Sequence, residues 1–331
     1  MTNHERFRAV MGFAPVDRLP VIESYWWWDK TLERWYEEGL PRELTGHLEI
    51  GRWFGLDMHR IFWLTRRYEI ERPAGRPRNQ GLVSTEREYE RVVTAMFSGP
   101  TFAPEQVEPF VEEQQRGEVF LWAQVDGFFW FAREVLGVER HLVAFYDQPE
   151  WMHRINRDLL DYTRRLVDEL CAICTPDLLS FAEDMSYNHG PMISKACFDE
   201  FIAPYYRRVV PQLAARGVLP IVDSDGDVTE LVPWLEEVGI QGLSPLERMA
   251  GNDILELRRR HARFRMFGAF DKTVMHRGEG AIRSEFERIF PVMQSGGYIP
   301  SVDHQTPPEV SLSDYRLYVS LLREYCEEAA R

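Results

Sequence analysis

Lysine is nearly absent from this chain. Its 331 residues include only Lys30, Lys195 and Lys272, so arginine carries almost all of the positive charge. Lys and Arg together number 39 against 53 Asp and Glu, a formal net charge of −14. That balance argues against a nucleic-acid partner, because phosphate binding needs clustered cations, and it disfavours an anionic membrane surface. Cysteine is scarce too: Cys171, Cys174, Cys197 and Cys326. The one CxxC pair has no second pair to make a zinc ribbon. It closes a helical pattern (Trp151 to Leu170), where positions i and i+3 share a face, so it reads as two small apolar residues. No run of 18 apolar residues exists to span a bilayer, and the N-terminus lacks an apolar signal core, so a cytoplasmic protein is expected. No GxGxxG follows any strand pattern, which disfavours a doubly wound dinucleotide fold. Fixed-period repeats, low-complexity stretches and obvious linkers are also missing, so residues 1–331 read as one domain.

What is present is a repeated pattern of an apolar run ending in acid. Leu219 to Val222 runs into Asp223-Ser224-Asp225-Gly226-Asp227, and a helical pattern (Thr229 to Val238) follows at once. Leu178 to Ala182 ends in Glu183-Asp184, Gly239 to Pro245 in Glu247, Phe264 to Phe270 in Asp271-Lys272, and Tyr298 to Val302 in Asp303-His304. Leu19 to Glu23, Arg60 to Leu64 and Val119 to Val125 complete a set of strand patterns with helices between them. The spacing is that of βα units, and the set predicts a (β/α)₈ TIM barrel with its chemistry at the strand tips. Between Arg66 and Pro104, prolines, glycines and the alternation of Arg91 to Phe97 predict a β-hairpin insertion after strand two.

These blocks resemble the uroporphyrinogen decarboxylase superfamily, which includes methylcobalamin-dependent methyltransferases. The likeness runs along nearly the whole chain. It rests on Glu5 to Val10 with Pro15 to Pro20, Glu183-Asp184-Met185, Asp223-Ser224-Asp225-Gly226, Pro245-Leu246-Glu247, Gly251-Asn252-Asp253, Asp271-Lys272, Gly296 to Pro300 and Asp303-His304. The resemblance implies a barrel and a decarboxylase or methyltransferase. Where decarboxylases of the family carry an arginine-rich motif for porphyrinogen carboxylates, this chain has Glu23 to Trp28 without an arginine. Where the zinc methyltransferases carry His-x-Cys and a later Cys, it has Asp223-x-Asp225 and no cysteine near the last strand. Soft sulfur ligands are thus replaced by hard oxygens. The implied activity is methyl transfer between a corrinoid or methylated amine and a small acceptor. The alternatives are a cofactor-free decarboxylase or lyase acting on a small acid, and a non-catalytic ligand-binding barrel. A corrinoid or folate is the implied co-substrate, a corrinoid protein the implied partner, and a homodimer a compatible assembly.

The candidate catalytic residues are Asp223, Asp225, His304, Asp303, Glu183 and Glu247. Asp223 and Asp225 are two apart and point the same way on a regular strand; paired carboxylates there hold a proton or demand a cation. His304 is the candidate proton shuttle. Glu183 and Asp184 are adjacent, so one faces the axis and the other caps or pairs outside. The expected substrate wall is Tyr25, Trp26 and Trp27, with Asp184 and Lys272 beside it; cation–π contact with an amine, or packing under the loop, both suit the tryptophans. Lys272 is a candidate Schiff-base amine or an ion-pair partner of Asp271. With His304, the Asp223/Asp225 pair is also a candidate site for zinc or manganese.

Overall fold

The computed structural model describes residues 1–64 and 80–330. Seven strands form one parallel sheet: β1 (Arg60–Trp63), β2 (Leu121–Asp126), β3 (Leu178–Ala182), β6 (Leu219–Asp223), β7 (Gly242–Leu246), β8 (Arg265–Phe270) and β9 (Tyr298–Val302), in that spatial order. Two further strands, β4 (Ser186–Tyr187) and β5 (Gly190–Pro191), make a short antiparallel ribbon just past the tip of β3. Helices follow the sheet strands and cover the outer face, the longest being Pro149–Ile173 and Leu312–Glu328. Strands β2, β3, β7 and β9 are buried along their whole length, as parallel strands covered on both faces must be. No helix among the described residues is long and apolar enough to cross a membrane.

Two expectations need correction. Leu19 to Glu23 was expected to be the first of eight strands, and it forms no ladder. It is buried and extended, and it touches both sheet edges: Val21 accepts the Asp57 amide at 2.7 Å, just before β1, and Ser24 receives the Ser301 hydroxyl of β9 at 3.2 Å. The amides a ladder would need are engaged elsewhere or missing. Leu19 N–H donates to Cys326 O, Val21 N–H donates to the Asp57 carboxylate, and Pro20 has no donor. The sheet is therefore a curled, barrel-like sheet of seven strands rather than a closed ladder of eight.

The second correction concerns the insertion after β1. Residues 65–79 of the expected hairpin lie outside the described residues. Arg91 to Phe97, whose alternation reads as a strand, lies within a helix, Glu86–Phe97. Thr85 caps it by accepting the Glu88 amide, two glutamates sit in its first turn, and Tyr89 and Met96 form its buried face. Tyr89 and Met96 are seven apart, which is two turns on one helix face but opposite faces of a strand, so the buried pair follows the helical period.

Candidate functional site

Parallel register places the tips of β3, β6 and β7 side by side, with Ala182 paired to Asp223 and Asp223 to Ser244. Carboxylate oxygens of Asp184, Asp223 and Asp225 lie within 4.8 Å of one another there. Asp223 closes β6. Its two oxygens accept from the Tyr25 hydroxyl at 3.2 Å and the Gln124 amide at 2.5 Å. Tyr25 also meets the Ser244 hydroxyl at 3.1 Å. Gln124 and Ser244 were not foreseen as site residues. Each is a buried polar side chain within a strand, and that is the only signal the sequence holds for them.

Asp225 sits in a loop held by its neighbours. Gly226 adopts φ 86°, and a Cβ there would come within 2.7 Å of the Tyr187 backbone, so only glycine lets the β4–β5 ribbon pack so closely. The Gly226 amide donates to Glu247 at 3.0 Å, and Asn252 bonds Gly226 O, Glu247 O and Val228 N. His304 Nε2 lies 3.9 Å from Asp225, and its ring stacks on Tyr25 with centroids 5.3 Å apart. Asp184 has φ 41°, a conformation rare for a residue with a side chain. Arg133 accompanies it, donating to its carbonyl at 3.2 Å and standing 3.6 Å from its carboxylate.

Burial sets the electrostatics. Asp223 is pushed well above the usual carboxylate range by desolvation and then by Asp184 and Asp225. Asp225 is pushed up to about 7 by desolvation, Asp184 and Glu247. Asp184 is also raised by burial, with Arg133 opposing. His304 is lowered by burial and by Lys272, which favours the neutral imidazole. The cluster therefore retains protons near neutral pH and gains by meeting a cation.

Other candidates stand apart from this cluster. Glu183 faces away from the axis and caps the helix Phe128–Leu136, accepting from the amides of Phe128, Phe129 and Trp130 at 2.9, 2.7 and 3.1 Å and from the Tyr206 hydroxyl. Asp303 is fully buried and accepts from Lys272 Nζ and from the Arg248 amide, each at 3.0 Å. Lys272 thus pairs with Asp303 rather than with Asp271, which caps its own turn through Thr273. Trp27 is not a mouth residue. It is buried among Trp35, Phe54 and Tyr315. Trp26 is half-buried and stacks between His47 and His59, while Trp28 is 46% exposed. The metal-competent grouping is Asp184, Asp223 and Asp225, with His304 beside it rather than in it. All four cysteines lie on helices or helix ends away from the strand tips: Cys171 and Cys174 at the end of Pro149–Ile173, Cys197 in Lys195–Phe201 and Cys326 in Leu312–Glu328. An all-oxygen set of this kind suits a hard divalent cation and not a thiolate-bound zinc.

The sequence model of uroporphyrinogen decarboxylase (URO-D) matches residues 102–325. No curated protein sequence matches the chain. Among solved structures, a methyltransferase from Methanosarcina mazei is similar over 98% of this chain and 99% of that one, with a TM-score of 0.64 and 14% identity. A D-psicose 3-epimerase from Clostridium cellulolyticum is similar over 82% of this chain and 96% of its own, with 12% identity and a TM-score of only 0.37. The methyltransferase shares the fold; the epimerase is too distant to carry an argument.

Proposed function

The chain belongs to the uroporphyrinogen decarboxylase family, and from that premise we propose that it is an enzyme of methyl transfer, working on a small substrate with a cationic or protonated amine. The observation that carries the reading is the convergence of Asp184, Asp223 and Asp225 at the strand tips beside the Tyr25–His304 stack. Three carboxylates and an aromatic face are the chemistry that seats an onium group. The same acidity is unfavourable for a substrate bearing many carboxylates, as is the lack of arginine from Glu23 to Trp28. The full-length likeness of fold to the Methanosarcina mazei methyltransferase supports the choice of reaction class.

In such a transfer a carbon–heteroatom bond breaks, the methyl group passes to an acceptor nucleophile, and the bonding electron pair stays with the leaving heteroatom. A quaternary or already protonated nitrogen departs as a neutral amine and needs no further proton, whereas an amine that binds neutral must be protonated before its methyl group can leave. Asp225, holding its proton to about pH 7 and 3.9 Å from His304, is placed to give that proton and recover it through the imidazole. Asp223, fixed by Tyr25 and Gln124, and Asp184, positioned by Arg133, orient the substrate cation. A corrinoid or folate would enter as co-substrate and supply the methyl donor or acceptor. A divalent cation held by the three carboxylates would supply Lewis acidity at the same place.

The test is direct. Purified protein is incubated with reduced cobalamin and a panel of N-methylated amines, and methylcobalamin formation is followed by absorbance. Turnover by the wild type and its loss in Asp225→Asn are expected. No methyl transfer in either direction, with or without added zinc or manganese, would overturn the reading.

A further inference from the structure

A second cavity lies at the opposite end of the sheet from the carboxylate cluster. It is a groove of about 560 Å³ at the N-terminal ends of β6 and β8, lined by Arg8, Arg216, Arg265, Gln114, Gln241 and Asp177 among others. Leu219 lines it and Asp223 ends the same strand, so the two sites are separated by about 13 Å of β-structure.

The charge here is inverted relative to the rest of the chain. Asp177 is the one acid among the lining residues, and it is fully engaged: His4 bonds one oxygen at 2.6 Å, and Gln114 and the Leu121 amide bond the other at 2.9 and 3.0 Å. The cations are less satisfied. Arg8 is exposed on the helix Asn3–Met11 and its guanidinium has no partner among the described residues. Arg265 gives one donor to Met11 O and one to Arg263 O, and meets no carboxylate among the described residues. Arg216, at the end of the helix Ala203–Ala214, is the one with an acid partner, Asp168. Behind Arg265, Arg258 and Arg263 lie on the Phe13 ring at 5.4 and 4.0 Å, and Arg265 shares that ring at 5.3 Å. Burial and these arginine neighbours push Arg258 down to about 10. Some of these guanidiniums offset carbonyls at loop and helix ends; Arg258 alone serves Ala262, Phe264, Gly296 and Gly297. Arg8 and the remaining N–H groups of Arg265 and Arg216 are surplus to that task and line open space.

We infer that this groove is a second binding site, for a small molecule carrying phosphate groups. Guanidinium forks match phosphate oxygens in pairs, and the groove's volume is that of a small-ligand pocket. Three arginines from three separate elements would close on one polyanion: Arg8 from the first helix, Arg216 from the end of Ala203–Ala214, and Arg265 from the start of β8. Such a ligand would tie the N-terminal helix to the sheet, remote from the strand-tip chemistry.

Inorganic pyrophosphate is the probe. Isothermal titration at constant ionic strength should show saturable binding at one site per chain, accompanied by a rise in Tm. Arg8→Ala and Arg216→Ala should each weaken binding about tenfold, the loss of one charge-assisted contact. Arg42→Ala, an exposed arginine outside the groove, should bind like the wild type. Circular dichroism of Arg8→Ala, whose side chain holds nothing in place, guards against a folding artefact. Absence of saturable binding, or equal affinity in all variants, would overturn the inference. So would tighter binding of a hexaglutamate peptide than of pyrophosphate, which would assign the groove to an acidic protein segment.

Discussion

At the N-terminal end of the sheet, Asp57 receives both terminal nitrogens of Arg18, at 2.5 and 2.7 Å, and the Val21 amide at 2.9 Å. Asp17 is gripped by Arg6 and by the N-terminal ammonium, which hold it well below the usual carboxylate range. At the C-terminal end, Asp184, Asp223 and Asp225 face one another, and all three are raised. The side chain is the same; what differs is burial first, and then whether cations or further acids stand beside it. Arginines neutralise acids at one end and are left in surplus there, while at the other end acids are left in surplus. A fold that needed only stability would not gather unneutralised carboxylates at its strand tips. Glu183, a single residue from Asp184, differs in its partners rather than in its titration: burial raises it to about 7, yet three amides and a tyrosine hydroxyl occupy its oxygens.

That contrast can be broken most strongly at Glu183. Glu183→Ala leaves three buried amides and the Tyr206 hydroxyl without their acceptor and should cost about 3 to 5 kcal/mol in urea unfolding. Glu183→Gln, which keeps an acceptor oxygen, should recover part of it. A loss under 1 kcal/mol for alanine would mean that the cap is dispensable and Glu183 belongs with the reactive acids. At the other end, Asp57→Ala strips a mostly buried Arg18 of its partner and should cost about 2 to 3 kcal/mol. A neutral result there would remove the stabilising half of the comparison.

Much of this architecture is legible in the sequence because strands buried on both faces are short apolar runs and their polar tips stand out. The run that misleads is Leu19 to Glu23. It has the same signature, yet its amides go to the Asp57 side chain and the C-terminal helix, and partners that distant in sequence leave no local trace. Arg91 to Phe97 misleads for another reason: Val92, Val93 and Thr94 are β-branched and favour a strand, while the buried Tyr89 and Met96 stand seven apart, on one helix face. At the site, Asp223 and Asp225 are readable because an acid inside an apolar run is costly. Asp184 joins them only through its positive φ and the adjacency of β3 to β6. Gln124 and Ser244 depend on which face of β2 and β7 looks inward, and strands apolar on both faces do not announce that. Three successive tryptophans likewise cannot show that Trp27 goes to the core and Trp28 to solvent.

Asp225→Asn should sharpen the contrast from the reactive side. Below about pH 4, folded and unfolded chains both keep the Asp225 proton and the acid costs nothing. As pH rises through 7 the unfolded chain ionises first, so the folded state loses stability, and the loss is complete above that value. Asparagine removes that penalty. The side chain is 43% exposed, so screening leaves a gain of about 1 to 2 kcal/mol at pH 8 and little at pH 4, read from urea midpoints at the two pH values. A variant less stable than the wild type at pH 8 would show Asp225 to be a satisfied structural acid.

The smallest effect is expected at Tyr25. Tyr25→Phe keeps the ring on His304 and deletes the hydroxyl that bonds Asp223 at 3.2 Å and Ser244 at 3.1 Å. Both bonds are long, Asp223 retains Gln124 at 2.5 Å, and Asp223 already holds its proton easily, so the net loss should be about 0.5 to 1 kcal/mol. Because the Tyr25 hydrogen bond favours the ionised form of Asp223, its removal should move that titration further upward. Carboxyl infrared bands followed against pH, with Asp223→Asn to assign the signal, would read the shift. A downward shift, or a stability loss above 3 kcal/mol, would make Tyr25 a structural anchor of the strand tips and return Asp223 to the class of satisfied acids.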